Sequence, residues 1–176
     1  MILQVGCGNR QCNLNSMGID FNVPKWSSRY PKRFIKGDVK NLPFRDESFE
    51  SVVGKHIFEH FSRYKNERDL VLKEWWRVLK VKGLLKIVVP NSKCYSKLLI
   101  GDVWDMNKFS FMMFGSQSNE GQFHYVGYDD KSLVKYVLSI LSKDNCKLES
   151  IEFGGGYMGF SRFKDFEIRS VFKKVK

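Results

Sequence analysis

Residues 2–20, ILQVGCGNRQCNLNSMGID, constrain the fold more than any other stretch. A short apolar run leads into a turn with glycines at Gly6 and Gly8, and after about ten residues a second apolar step ends on Asp20. Two short parallel strands with a helical or looped crossover have this form. Glycine lets backbone N–H groups approach a bound nucleoside, because no Cβ stands between them. An acid at the end of the next strand is placed to accept hydrogen bonds from ribose hydroxyls. An ordinary polar turn is the other reading of such a glycine pair. A dinucleotide fingerprint needs a third glycine where Gln11 stands, and no Gly-Lys-Ser/Thr follows for a P-loop. What remains is a nucleoside site without a pyrophosphate cradle.

Further along, residues 33–36 read as a third strand, followed by a turn at Gly37 and Asp38. Asp38 either accepts from an exocyclic amine or caps its own turn. Phe21 either lies on an adenine ring or packs at a strand end. Residues 49–54 (FESVVG) predict a buried strand that hands over to KHIFEHF, with His56, Glu59 and His60 at helical spacing. His56 and His60 are i and i+4, but no third ligand stands at helical spacing, so no metal site is expected. One histidine then faces the crevice and the other packs or caps.

The spacing predicts an amphipathic helix over 66–80, with Leu70, Leu72, Trp75, Trp76, Val78 and Leu79 on its apolar face. Lys82-Gly83 ends it. LLKIVVPN then reads as a strand in the middle of a parallel sheet, covered on both faces and stopped by Pro90. Residues 92–122, rich in aromatics and methionines, predict a helix and an aromatic flap, either core or acceptor lid. A helix over 131–142 is capped by Asp129 or Asp130. The last thirty residues or so read as an antiparallel hairpin around a glycine-rich connection. Strands alternating with helices, then a closing hairpin, make an open α/β sheet.

At 176 residues the chain is expected to be a single domain: 1–91 a cofactor-binding half, 92–128 a possible acceptor lid, 129–176 a helix and hairpin. Hydrophobic residues at 43% and aromatics at 15% require a packed core and exclude a disordered chain. No apolar run suits a membrane span or signal peptide, and Cys7, Cys12, Cys94 and Cys146 lack C-x-x-C spacing. A cytoplasmic location with free thiols is expected. A net charge of +11 suits phosphates, nucleic acid or anionic lipid, or a plain solvated surface, since the basic residues form no single block.

Several segments resemble the class I S-adenosylmethionine-dependent methyltransferases. ILQVGCGN is similar to their glycine-rich first motif, GID to the acidic end of the second strand, and GDVKNLPFRDESFESVVGKHIFEHF to the run from the adenine-contacting aspartate to the fourth strand. EWWRVLKVKGLLKIVVPN resembles the E-x-x-RVLKPGG-x-L-x-I-x-VPN signature of the small-molecule type, and FHYVGYDDKSL a compact subgroup associated with sugar or cell-surface polysaccharide pathways. The resemblance implies a single-domain Rossmann-like sheet of seven strands, mostly parallel with an antiparallel C-terminal hairpin strand. It implies S-adenosylmethionine as cofactor and S-adenosylhomocysteine as product. Gly6, Cys7, Gly8 and Asn9 would line the methionine and ribose side, Asp20 would hold the ribose, Phe21, Asp38 and Val39 would contact adenine, and Lys55 and His56 would close the crevice. Gln4 stands where the family usually carries an acid, which leaves contacts to the cofactor's amino group unassigned. The link from Gly8 to Asp20 implies an abbreviated first helix, Val81-Lys82-Gly83 replaces Pro-Gly-Gly, and no N-terminal substrate-covering helix precedes the first strand.

The expected chemistry is in-line methyl transfer to a small molecule or a sugar or polysaccharide precursor. His124, with Tyr125 beside it, is the candidate general base, or else a packing or capping residue. An RNA methyltransferase is an alternative suggested by the charge and the aromatics. Against it, neither strand end carries an Asn/Asp-Pro-Pro-aromatic run or a Pro-Cys nucleophile. A non-catalytic S-adenosylmethionine-binding module acting through a partner is another alternative. An NAD-dependent reductase is a third, which Gln11 disfavours.

Overall fold

In the computed structural model, which describes residues 1–8, 16–22, 33–155 and 165–176, the first two apolar runs are parallel strands. They are β1 (Ile2–Val5) and β2 (Ser16–Asp20), with Leu3 opposite Met17 and Val5 opposite Ile19. β3 (Arg33–Lys36) extends the sheet beyond β2, and β4 (Phe49–Lys55) lies on the other side of β1. β5 (Leu79–Pro90) runs parallel to β4, and the hairpin of β6 (Cys146–Gly154) and β7 (Glu167–Lys174) places β7 antiparallel between β5 and β6. The order β3-β2-β1-β4-β5-β7-β6 is the open α/β sheet with a closing hairpin that the alternation of elements predicts, in the seven-stranded, mostly parallel Rossmann-like form that the family resemblance implies. The expected short crossover before β2 and the loop before β3 fall on residues outside those described, as does most of the glycine-rich hairpin connection.

Alternate residues of the strands form one continuous apolar face: Leu3, Val5, Ile19, Val52, Leu85, Ile87, Val89, Ile168 and Phe172 are all buried there. Val71, Leu72 and Trp75 of α1 (Glu67–Arg77) and Leu133 and Val137 of α4 (Asp130–Leu141) belong to the same cluster. Asp129 caps α4 in a reciprocal box with Ser132. The other side of β5 is less covered: Lys86 is exposed and Leu84 and Val88 are half-buried. The expectation of a strand sealed on both faces therefore holds for one face only. The alternation of Leu85, Ile87 and Val89 with Lys86 is the signal that the sequence reading passed over.

Three local expectations change. The helix predicted over 66–80 ends at Arg77, because Leu79 already pairs with Phe49 of β4. Leu84 then pairs with Ser51, so residues 80–83 form an irregularity inside β5, with Lys82 at φ +66°. Leu70 points to solvent at 57% exposure, and Val71 takes its place in the core. KHIFEHF is no α-helix: it contains a single 3-10 turn (Phe58–His60), and His56 precedes it at φ +51°.

Residues 92–122 contain α2 (Ser92–Ile100) and α3 (Met106–Phe114), the latter followed by Gly115. Tyr95, Trp104 and Phe166 form a second small core, against which Phe109, Met112 and Met113 pack. Part of the aromatic and methionine stretch is therefore core, as one of its two readings held.

Candidate functional site

Five strands run in one direction, so their carboxyl ends converge on one edge, where open α/β sheets bind ligands. A cavity of about 1310 Å³ occupies that edge. At one end of it lies the turn after β1. Gly6 has φ +62° and Gly8 φ +51°, conformations open to glycine at little cost. Gly6 N–H donates to the Ile19 carbonyl at 2.9 Å, which ties the turn to β2. Gly8 N–H donates to Asp20 Oδ2 at 2.7 Å, and Asn22 N–H donates to Asp20 Oδ1 at 3.0 Å. Each carboxylate oxygen keeps a second lone pair, so Asp20 positions the turn and can still accept from a ligand in the cavity it lines.

Cys7, Phe21, Val39, Lys55 and His56 also line this cavity. Phe21 stands at the rim with 55% exposure, whereas Val39 is buried. The Val39 carbonyl accepts from Trp75 Nε1 at 3.1 Å, and Trp75 fits under the end of β4 because residue 54 is a glycine whose Cβ would lie 2.7 Å from the indole. α1 thus props the cavity floor from below. Asp38 is not on the wall: its Oδ1 accepts from Lys40 N–H at 2.8 Å and its carbonyl from Asn41 N–H at 3.1 Å, the turn-capping arrangement. Asn9 lies outside the described residues.

The other end of the cavity is polar. His56 Nε2 lies 2.9 Å from Glu167 Oε2, and its Nδ1 lies 3.6 Å from Glu59 Oε1. Glu167 also accepts from Arg169 Nε at 2.7 Å. Burial alone would push Glu167 up, but the hydrogen bonds from His56 and Arg169 outweigh it and hold the carboxyl at about 2. Glu59 is 1% exposed. Burial works against its charge, yet the surrounding His56, His60 and His124 hold its carboxyl below the usual value.

His60 Nδ1 lies 2.8 Å from the Phe123 carbonyl, an N–H donor in that bond, which leaves Nε2 with a free lone pair. The His60 and His124 rings meet edge to face with centroids 4.8 Å apart. Burial lowers the His124 pKa, with opposing help to the charged form from Glu59. Tyr125 is half-exposed at the cavity mouth, with its ring stacked on Phe123. His124 and Tyr125 therefore share one cavity with the glycine turn, as the sequence reading placed them. Glu167 and Arg169 were not singled out by that reading, and Glu59 was noted only for its spacing. No local signal marks the first two, because they reach the site from the final strand.

The profile of the methyltransferase domain family matches residues 3–87, which contain the glycine turn, Asp20 and the 3-10 turn. Residues 3–87 thus carry a methyltransferase domain, on the fold of S-adenosylmethionine-dependent methyltransferases. Among curated relatives, the demethylmenaquinone methyltransferase of Thermotoga maritima is 33% identical over 107 residues, covering 59% of this chain and 43% of that protein. The probable tRNA methyltransferase 9B of Homo sapiens is 27% identical over 142 residues, covering 74% of this chain and 31% of that protein. The chain thus spans less than half the length of either relative. A solved S-adenosylmethionine-dependent methyltransferase from Methanosarcina mazei shares the fold with a TM-score of 0.64 at 20% identity, covering 99% of this chain and 92% of that one.

The residues present suit the cofactor of this methyltransferase family. A Cβ built at Gly8 meets nothing within 4 Å, so open space lies directly over the turn beside the Asp20 carboxylate. An acidic acceptor, open space above the glycine turn and an apolar wall at Val39 suit a ribose, an aminoacyl chain and a purine. Among the described residues no helix is long and apolar enough to cross a membrane.

Proposed function

We infer that the chain transfers a methyl group from S-adenosylmethionine to a small-molecule acceptor, of which a sugar or a cell-surface polysaccharide precursor is the favoured class. The observation that carries this reading is the cavity itself: one continuous space joins the glycine turn and Asp20 to the Glu59, His60 and His124 end. S-adenosylmethionine, when bound, supplies a methyl group on a sulfonium sulfur that is already activated for displacement. The protein's task is then chiefly to hold the acceptor in line, which can account for about 7–11 kcal/mol of barrier lowering in favourable systems.

In this reading Gly6, Cys7, Gly8 and Asp20 hold the ribose and methionine parts, Phe21 and Val39 flank the purine, and Lys55 and His56 close the far side. Asp38 contributes by shaping the turn that carries Val39. His124 takes the proton of an acceptor hydroxyl, with Tyr125 beside it at the mouth and residues 92–128 as the lid. The name of the Thermotoga relative, with a quinone acceptor, supports a small molecule. The name of the human relative, with tRNA, together with the charge of +11, keeps RNA as a second reading.

Calorimetric titration with S-adenosylmethionine and S-adenosylhomocysteine, with Asp20→Ala as control, tests the cofactor site. Micromolar binding lost in the variant supports the assignment, and absence of binding by the native chain removes it. Methyl transfer from labelled cofactor to sugar acceptors, compared with transfer to RNA, then separates the two acceptor classes.

A further inference from the structure

Opposite the glycine turn, Glu59, His60 and His124 converge, with a ligand-type atom of each within 4.8 Å of the other two. Glu59 is fully enclosed, and among the described residues neither of its carboxylate oxygens has a hydrogen-bond partner. A buried carboxylate in that condition is costly, and buried charges are ordinarily paired or bound to a metal. The ion-pair partner of Glu59 is His56, whose Nδ1 stands at 3.6 Å, beyond hydrogen-bonding range, and whose Nε2 is already engaged by Glu167.

The His60 imidazole is oriented in the manner of a ligand. The Phe123 carbonyl holds the Nδ1–H of His60, the backbone contact by which a ligating histidine's tautomer is set. The His124 ring meets that of His60 edge to face, with centroids 4.8 Å apart. The three residues are also locked together through the main chain: Tyr125 N–H donates to the Glu59 carbonyl at 2.9 Å, and His124 N–H to the Phe114 carbonyl at 2.9 Å.

We propose that Glu59, His60 and His124 form a binding site for one divalent first-row metal ion, of the zinc class, on the acceptor side of the cavity. Two imidazole nitrogens and one carboxylate are the donor set of open, catalytic-type zinc sites, which keep a fourth position for water or substrate. Bonds of about 2.0–2.2 Å set the ligand atoms of one ion roughly 3–4 Å apart. Ligation of one ion therefore requires the trio, spread over up to 4.8 Å, to draw together. The i, i+4 pair that the sequence presents, His56 and His60, is not the site, because His56 lies off the turn and is committed to Glu167.

This site deepens the function inferred above and rests on that reading of the cavity. An acceptor hydroxyl bound at the open position loses its proton to cavity water: the O–H bond breaks, the electron pair stays on the ion-bound oxygen, and the ion stabilises it. With the ion bound, His124 serves as its ligand and the ion activates the hydroxyl; without the ion, His124 itself is the base of the reading above.

The test uses tag-free protein stripped with chelator, to which Zn²⁺ is added against a chromophoric competitor, and Co²⁺ in parallel for its visible spectrum. The expected result is one ion per chain, with affinity falling by about 100-fold or more in both His60→Ala and His124→Ala, a loss larger than that from removing a residue that only orients a ligand. The metal-free variants are expected to melt as the metal-free native chain does. No stoichiometric Zn²⁺ binding by the native chain, equal binding by both variants, or a thiolate charge-transfer band in the Co²⁺ form overturns the site. S-adenosylhomocysteine binding is measured on the same preparations. Zn²⁺ binding without nucleoside binding would sink the methyl-transfer reading and leave the metal site standing, and the reverse pattern would do the opposite.

Discussion

Tyr125 donates its backbone N–H to the Glu59 carbonyl at 2.9 Å, a bond that joins residues 66 apart in sequence. It fastens the segment before α4 to the 3-10 turn after β4. Through this bond the half of the chain that carries the glycine turn is held against the half that supplies His124.

Asp20 accepts from Gly8 and Asn22 as well as facing the cavity, so its removal acts on both ligand and turn. Asp20→Ala is expected to weaken S-adenosylhomocysteine binding by at least about tenfold, the lower range for losing bonds to a charged acceptor. Calorimetry checks this, and unchanged affinity would remove Asp20 from the site.

His124 lines the cavity at its polar end, where the proposed acceptor would sit. His124→Ala is expected to leave cofactor affinity unchanged within error and to lower turnover by about 10²–10⁴, as loss of hydroxyl activation does. Steady-state kinetics on an acceptor found by screening, beside titration of the cofactor, gives both readouts. Turnover at the native level would take His124 out of the mechanism.

Gly6 and Gly8 both have positive φ, but their surroundings differ. A Cβ at Gly6 would lie 1.9 Å from Ile57 Cδ1, whereas one at Gly8 meets open space. Gly8→Ala is expected to cost about 1–2 kcal/mol of stability from backbone strain alone, and Gly6→Ala more, because Ile57 must also move. Urea unfolding of the two variants gives the order, and Gly8→Ala being the more damaging would contradict it.

Glu167 has its folded-state pKa depressed to about 2 from 4.5 by His56 and Arg169 against the effect of burial. The unfolded chain therefore takes up the proton first as pH falls. The stabilisation is full above about 4.5 and is lost progressively as pH drops towards 2. Unfolding free energy measured from pH 7 to pH 3 is expected to fall less steeply in Glu167→Gln than in the native chain, and identical slopes would count against the pairing.

Elements governed by neighbours in sequence were legible without the structure. β3 at 33–36, a cap at Asp129 or Asp130, of which the structure uses Asp129, and the glycine turn each depend on backbone preferences and bonds that span a few residues. The end of α1 was misplaced because Leu79 pairs with Phe49, thirty residues upstream, and strand pairing overrides the apolar spacing that continues past Arg77.

The sequence by itself determined the strand order's raw material: alternating apolar runs, a nucleoside turn, an acid at the next strand end, and a helix cap, all set by short-range sterics and hydrogen bonding. Only the tertiary structure decided the polar end of the cavity. His60 meets His124 across 64 positions, and His56 meets Glu167 across 111. Such pairs carry no periodicity to read, because they exist only once the sheet has closed and water has been removed from around Glu59.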